Sequence, residues 1–269
     1  MTRTNLGGVL ALIFIVMCIG ACGGSRVEAK ITNKDSQLGT VKISLKAIPA
    51  PQGVGVSFTG SYPVLVGLNK EINRNNTEIR NTIIEDERSF ISAVNQQEII
   101  NRQAGIEPGG YNTYEVSPRG VALANSVLAS LLLAKTQAFA GGVTFSDWIS
   151  ITLELSTGMK VAISDLFKDP KIALAVISKR SESILESNNS CFKGSIGMKG
   201  LSRLFESGLD PKSQNFRDFA LTRTGLALGF PQDQIAEDSC GAIEAVIPYR
   251  YLRPYLSNLG IDLVTSSDG

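Results

Sequence analysis

The sequence predicts an α+β protein: antiparallel sheets with a few packed helices, in a single domain. Three observations carry that prediction. Residues 148–155 alternate with a clean period of two, Ile149, Ile151, Leu153 and Leu155 to one side and Trp148, Ser150, Thr152 and Glu154 to the other. Leu68, Ile72, Ile79, Ile83, Phe90 and Val94 recur at roughly helical spacing through about Gln103. Strands and helices do not alternate regularly, which argues against a parallel sheet covered by helices. The 269 residues are 43% hydrophobic and 19% charged, a globular balance and not a disordered one. No internal repeat, low-complexity tract or domain boundary stands out.

Taken in order, Val41, Ile43 and Leu45 alternate with polar residues as a half-buried strand. Pro49 to Gly53 makes a turn, and Val54 to Phe58 a second strand. Tyr62-Pro63 leads into the long helical stretch, and Gly105 to Gly110 reads as a loop. Tyr111 to Val116 is a strand and Ser117-Pro118-Arg119-Gly120 a turn. Val121 to Phe139 is ambiguous: its residue types favour helix, but its flanks suit a hairpin strand. The 148–155 strand turns at Ser156-Thr157-Gly158 and returns over Met159 to Ile163 as a hairpin. A helix spans about Lys171 to Ser187, with Ile172, Val176, Ile177, Ile184 and Leu185 inward, and a short one covers Leu201 to Glu206. Phe219 to Thr222, Gly225 to Phe230 and Ile243 to Ile247 are strands, and Tyr249 to Leu259 starts as a short helix.

The N-terminus reads as an address. Arg3 precedes an apolar run from Leu6 to Ile19, too short for a comfortable membrane span and the length of a signal-peptide core. The run closes on Ile19-Gly20-Ala21-Cys22, an aliphatic residue, two small residues and a cysteine, as in a bacterial lipobox. This predicts a lipoprotein signal peptide over 1–21, a lipidated Cys22 with a flexible tether over 22–40, and a folded domain over 41–265. Loss of Arg3 leaves basic and acidic residues balanced. Acyl chains on Cys22 would hold the domain at the cell membrane, on its extracytoplasmic side. In that compartment Cys191 and Cys240, the two cysteines of the folded domain, read as a disulfide, with two free thiols as the other possibility.

Composition closes off several functions. With 26 Lys+Arg against 25 Asp+Glu, no charge imbalance favours nucleic acid. Histidine is absent, which removes Ser-His-Asp and Cys-His catalysis and His-ligated zinc. Gly194 to Gly200 is glycine-rich but lacks the Gly-Lys-Ser/Thr of a phosphate loop. Ser190-Cys191-Phe192-Lys193 fits Ser-x-x-Lys, without the companion motifs of a penicillin-binding site. Paired carboxylates are the remaining hydrolytic route, with Glu154, Asp165, Asp169, Glu237 and Asp238 available. No calcium loop or other cofactor or metal signature occurs, so none is expected. Tyr249, Arg250, Tyr251, Arg253 and Tyr255 form an aromatic-basic cluster of the kind that anchors interfaces, or that packs its rings on a sheet.

Several stretches are similar to a known family. Gly208-Leu209-Asp210-Pro211, Asp218-Phe219-Ala220-Leu221-Thr222, Gly225-Leu226, Phe230 and Val246-Ile247-Pro248 resemble the closing region of secreted mycobacterial immunogenic antigens of the MPT type. Those belong to the broader RsiV-like family of exported domains, which includes lysozyme-sensing anti-sigma ectodomains and the accessory region of some peptidoglycan deacetylases. Thr157-Gly158 followed by Asp165-Leu166-Phe167 resembles the broader family, and Tyr62-Pro63, Pro118-Arg119-Gly120 and Gly141-Gly142 fall in matching order. The resemblance covers roughly residues 40–260. It implies an α+β fold with antiparallel sheets in which Val121–Phe139 is largely strand. It also implies a non-catalytic binding or antigen protein of an actinobacterial envelope. Two positions depart from the family: Val143-Thr144 stands where the family has x-His, and Asp218 stands where it has Asn. An anti-sigma role needs a cytoplasmic segment before Cys22, and a deacetylase role needs histidines.

The expectation is a lipid-anchored envelope protein binding a protein or glycan ligand outside the membrane. The alternatives are an envelope glycan hydrolase using paired carboxylates, and a structural or host-interaction lipoprotein.

Overall fold

The computed structural model describes residues 41–51, 55–67, 70–107, 109–124, 128–142, 144–188, 191–192 and 201–260. The leader, Cys22, the tether, Ser190 with Lys193, and the glycine-rich 194–200 lie outside the described residues. The elements run β1 (Lys42–Ala47), β2 (Val56–Val66), α1 (Lys70–Gln103), β3 (Asn112–Ala124), β4 (Leu128–Ala138), β5 (Thr144–Glu154), α2 (Pro170–Asn188), α3 (Leu201–Leu209), β6 (Phe219–Leu221), β7 (Gly225–Phe230) and β8 (Ile243–Pro248). Strands β1 to β5 form one sheet in chain order, and β6 to β8 a second. The fold is α+β with sheets rich in antiparallel pairs.

One pair is parallel, against the expectation of wholly antiparallel sheets: Val56–Gly60 of β2 runs alongside Asn112–Val116 of β3. The long crossover through α1 makes this possible, since parallel neighbours need a connection of a dozen residues or more. β2 is also longer than the predicted Val54–Phe58, because its second half, Ser61–Val66, pairs antiparallel with β1. The changeover falls at Gly60, whose φ is 111°. A Cβ there would run into the Val116 carbonyl, so only glycine fits.

α1 packs on one face of the large sheet. Ile72, Ile79, Ile83, Phe90 and Val94 meet Tyr114, Val116, Leu131, Leu133, Ile149, Ile151 and Leu153 in one buried cluster. Each such large side chain is worth about 1.5–3 kcal/mol when fully buried. Propensity contributes little, for α1 is rich in Asn, and Thr77, Thr82 and Ser89 bond back to carbonyls four residues earlier.

The second sheet covers the opposite face. Leu132 and Trp148 meet Ala220 and Ala227. The approach is close because the facing residues are small: a Cβ on Gly229 would lie 2.6 Å from the Trp148 ring. Hydrogen bonds cross the junction. Ser130 Oγ and Thr152 Oγ1 are 2.7 Å apart, Leu221 N donates to Ser130 Oγ at 2.9 Å, and Trp148 Nε1 donates to the Phe230 carbonyl at 3.1 Å. The outer face of the second sheet, with Leu226, Leu228, Phe230, Ile243 and Ile247, packs against Ala173, Leu174, Ile177 and Leu185 of α2. The order of layers is α1, large sheet, small sheet, α2.

Several local expectations change. Ser117–Gly120 is not a turn: β3 continues through it, with a shift of register between Pro118 and Gly120. A bulge accommodates a proline that cannot donate to the ladder. Val121–Phe139, by contrast, is strand as the family resemblance implied: it holds the end of β3 and β4, because Leu131, Leu132 and Leu133 are buried on both sides of the sheet and burial overrides helical propensity. Met159–Ile163 does not return as a strand. After one bridge, Leu153 to Lys160, the chain enters a 3-10 turn at Ile163–Leu166, where Asp165 Oδ2 accepts the Ala162 N–H at 2.9 Å. Ile172 faces solvent at 51% exposure, and Ala173 and Leu174 fill the inward face instead. Tyr249–Leu259 opens as two 3-10 turns, Tyr249–Tyr251 and Arg253–Tyr255, since Pro254 removes an amide donor that an α-helix would use.

Candidate functional site: the seam between the sheets

Where β5 runs beside β6, the two sheets leave a groove of about 310 Å³. Its floor is apolar, with Val161, Ile163 and Phe219. Its polar lining comes from Ser150, Thr152, Lys160, Ser213, Gln214 and Arg217, and no carboxylate lies among the lining residues. Strand alternation explains the mixture: the odd positions of β5 are committed to α1, so the even hydroxyls face the second sheet.

Asp218 sits behind the rim with its side chain 13% exposed. Its carboxylate accepts from Arg217 Nε at 3.3 Å and from Ser150 Oγ at 3.3 Å, and Ser150 Oγ also bonds the Arg217 carbonyl at 3.1 Å. Burial raises the Asp218 pKa, the Arg217 guanidinium opposes that rise, and Asp147 adds to it. The acid at this departure from the family pattern is therefore answered by an adjacent guanidinium and hydroxyl.

Beneath α1 lies a second polar cluster that sequence reasoning missed. Lys135 Nζ is 2.8 Å from Asp86 Oδ1 and 3.2 Å from Asp147 Oδ2, and Tyr114 OH donates to Asp86 Oδ2 at 2.7 Å. Burial pulls the Lys135 pKa down, but the two carboxylates outweigh it and the net shift is upward. Burial first, then the Asp86 charge, raises Tyr114, so its phenol stays protonated. The cluster carries one cation and two anions, and it clamps the helix to the sheet. A lone lysine inside the apolar run of β4 is the sequence signal that could have found it.

Glu87 is 1% exposed, and its Oε1 has no hydrogen-bond partner. Burial, with the Asp86 charge second, raises its pKa from 4.5 to about 7. The folded state thus holds a proton that the unfolded state releases, and the stability this gives is lost as pH rises from about 4.5 through 7. We expect the loss to total about 3 kcal/mol and to vanish in Glu87→Gln. Urea unfolding at pH 5 and pH 8 measures both; an equal pH slope in the variant would exclude Glu87 as the source.

The predicted residues separate into different roles. Cys191 and Cys240 form a disulfide with Cα atoms 6.2 Å apart, tying the end of α2 to the 3-10 turn before β8. Of the aromatic-basic cluster, Tyr249 is buried and its OH donates to the Thr222 carbonyl at 2.9 Å. Tyr255 packs half-buried against the core, whereas Arg250 and Arg253 are exposed and Tyr251 is half-buried. Arg180 of α2, which the sequence reading did not include, stacks on Tyr251.

The carboxylates named for hydrolysis cap turns or stand apart. Glu154 accepts from Ser156 and Thr157, Asp165 from Ala162 N, and Asp169 from Ile172 N. Glu237 and Asp238 are exposed at the turn beside the disulfide. Among the described residues no group of three or more His, Cys, Asp or Glu side chains is placed to hold a metal ion, and no helix is long and apolar enough to cross a membrane.

Fold and groove define a two-sheet α+β domain with its polar groove at the junction of the sheets. Residues 164–250 match a family described as a protein of unknown function, DUF3298. That stretch contains α2, the small sheet and one wall of the groove. Among solved structures, a DUF3298 family member from Bacteroides fragilis is 12% identical, with 91% of this chain and 96% of that chain covered and a TM-score of 0.54. A DUF3298 family protein from Pseudomonas aeruginosa PAO1 is 14% identical over 87% of this chain and 96% of that chain, with a TM-score of 0.48. The first likeness is one of fold. Comparison with curated proteins gives no match.

Proposed function

We propose that this chain is a lipid-anchored cell-envelope protein that binds a protein or glycan ligand outside the membrane and does no catalysis. The seam groove carries this reading. Lys160 and Arg217 offer positive charge, Ser150, Ser213 and Gln214 offer hydrogen bonds, and the apolar floor suits the ring or methyl face of a ligand. A peptidoglycan fragment, with sugar hydroxyls, a peptide stem and carboxylates, has that chemistry. The resemblance to RsiV-like exported domains, and within them to MPT-type antigens, adds lysozyme as the protein ligand to try. Calorimetric titration of Gly23–Gly269 with soluble peptidoglycan fragments, and separately with lysozyme, tests the proposal. We expect saturable binding at about micromolar affinity or better, near −8 kcal/mol, weakened at least about tenfold by Lys160→Glu with Arg217→Glu. Absence of heat with both ligands would overturn it.

The membrane attachment rests on the lipobox around Cys22. We expect Cys22→Ala to abolish incorporation of a labelled fatty acid in a bacterial host. Continued labelling of that variant would remove the anchor from the account.

A second reading, a structural or host-interaction lipoprotein, draws on the far end of α1. There Ile99, Ile100, Ile106, Tyr111 and Phe145 are all exposed, and Ile106 and Phe145 border one depression of about 320 Å³.

A further inference from the structure

Arg180 stands on the exposed side of α2, and Arg250 and Tyr251 belong to the 3-10 turn that closes β8. The Arg180 guanidinium carbon is 4.1 Å from the centre of the Tyr251 ring, and that of Arg250 is 4.9 Å from it. Arg250 Nη2 also lies 3.4 Å from the Tyr251 hydroxyl. Among the described residues neither arginine has a carboxylate within ion-pair distance. Two like charges are thus held against one ring, with no carboxylate of the described residues between them.

That arrangement has a cost and a use. Guanidinium groups brought together repel, and each side chain loses rotamer freedom when it is held. Stacking on the ring offsets part of this and uses the guanidinium face, which leaves in-plane N–H donors for another partner. The side chains are then ordered before a ligand arrives, so less freedom is lost on binding. A phosphomonoester carries about −1.5 to −2 charge and three acceptor oxygens, a match for two guanidiniums in charge and in donors. A single carboxylate matches neither count.

We propose that Arg180, Tyr251 and Arg250 form a binding site for a phosphomonoester group, separate from the seam groove. The two sites share no residue. The Tyr251 phenol reports on occupancy, because its hydrogen bond with Arg250 and the positive charge of both arginines hold its pKa below the ordinary 10.0. A bound phosphate neutralises that field and moves the phenol back up.

The test titrates the full chain with glycerol 3-phosphate, following tyrosinate absorbance against Tyr251→Phe to isolate the one ring. Binding of the soluble phosphate is expected to saturate and to raise the Tyr251 transition. Arg180→Gln with Arg250→Gln, both at exposed positions, should weaken binding about tenfold or more. Tyr251→Phe keeps the stacking ring and should still bind by calorimetry, whereas Tyr251→Leu should bind several-fold more weakly. A second arm compares vesicles of phosphatidic acid in phosphatidylcholine with phosphatidylcholine alone. Preference for the vesicles over the soluble compound identifies a lipid headgroup as the source, and the reverse identifies a free phosphate. No saturation in either arm, or equal binding by the double arginine variant, overturns the site.

Discussion

Replacing Lys135 with methionine should destabilise the protein by about 3–5 kcal/mol, the cost of breaking a buried ion pair from one side. Methionine keeps most of the side chain's length and volume, so the loss comes chiefly from charge and not from an empty space. Asp86, 2.8 Å from the ammonium, and Asp147, 3.2 Å from it, would face each other with only the Tyr114 hydroxyl left on Asp86. Neutralising both acids in the same chain, as Lys135→Met with Asp86→Asn and Asp147→Asn, should recover much of that loss. Denaturant unfolding of the single and triple variants measures the coupling. A single variant within about 0.5 kcal/mol of wild type would show that the cluster is an incidental surface pair and does not clamp the helix.

The disulfide gives the second large effect. Cys191 and Cys240 are 49 residues apart in sequence, and closing a loop of that size removes about 4 kcal/mol of unfolded-state freedom in the chain-entropy account. The bond joins the end of α2 to the turn that leads into β8, which α2 covers, so its loss loosens both partners of one packing contact. We expect Cys191→Ser with Cys240→Ser, or reduction of the wild-type protein, to lower the melting temperature by roughly 10 °C at this size. An unchanged melting temperature in reductant would mean that the core around Phe192 and Phe205, whose ring centres are 4.8 Å apart, holds this region without the bond.

Much of the fold was legible because local and tertiary forces agree. The stripe from Ile72 to Val94 faces the sheet, and the alternation of Ile149 to Leu155 separates the α1 side of β5 from the side facing the small sheet. The reading failed where burial overrode a local rule. For β4, a continuous apolar run buried on both faces, no period in the sequence distinguishes strand from helix, and only the family resemblance pointed to the strand that forms. Pro118 looks like a turn residue, but a bulge lets the strand continue. The seam groove was invisible because Ser150, Lys160, Ser213 and Arg217 come from separate segments that meet only when the two sheets stack. Lys135 and Glu87 follow the same logic. Glu87 looks like an ordinary surface charge in sequence, Lys135 stands out only as a lone charge in an apolar run, and the packing of α1 on the sheet buries both.

Hydrogen exchange of the domain with and without a soluble peptidoglycan fragment tests the central claim most directly, because it reads where a ligand sits as well as whether it binds. The account predicts added protection at Ser150–Thr152, at Lys160–Ile163 and at Ser213–Leu221, the segments that form and flank the seam groove. Protection confined to the far end of α1 around Ile99 and Phe145, with the seam unchanged, would contradict it and move the binding surface to the exposed apolar end of the molecule.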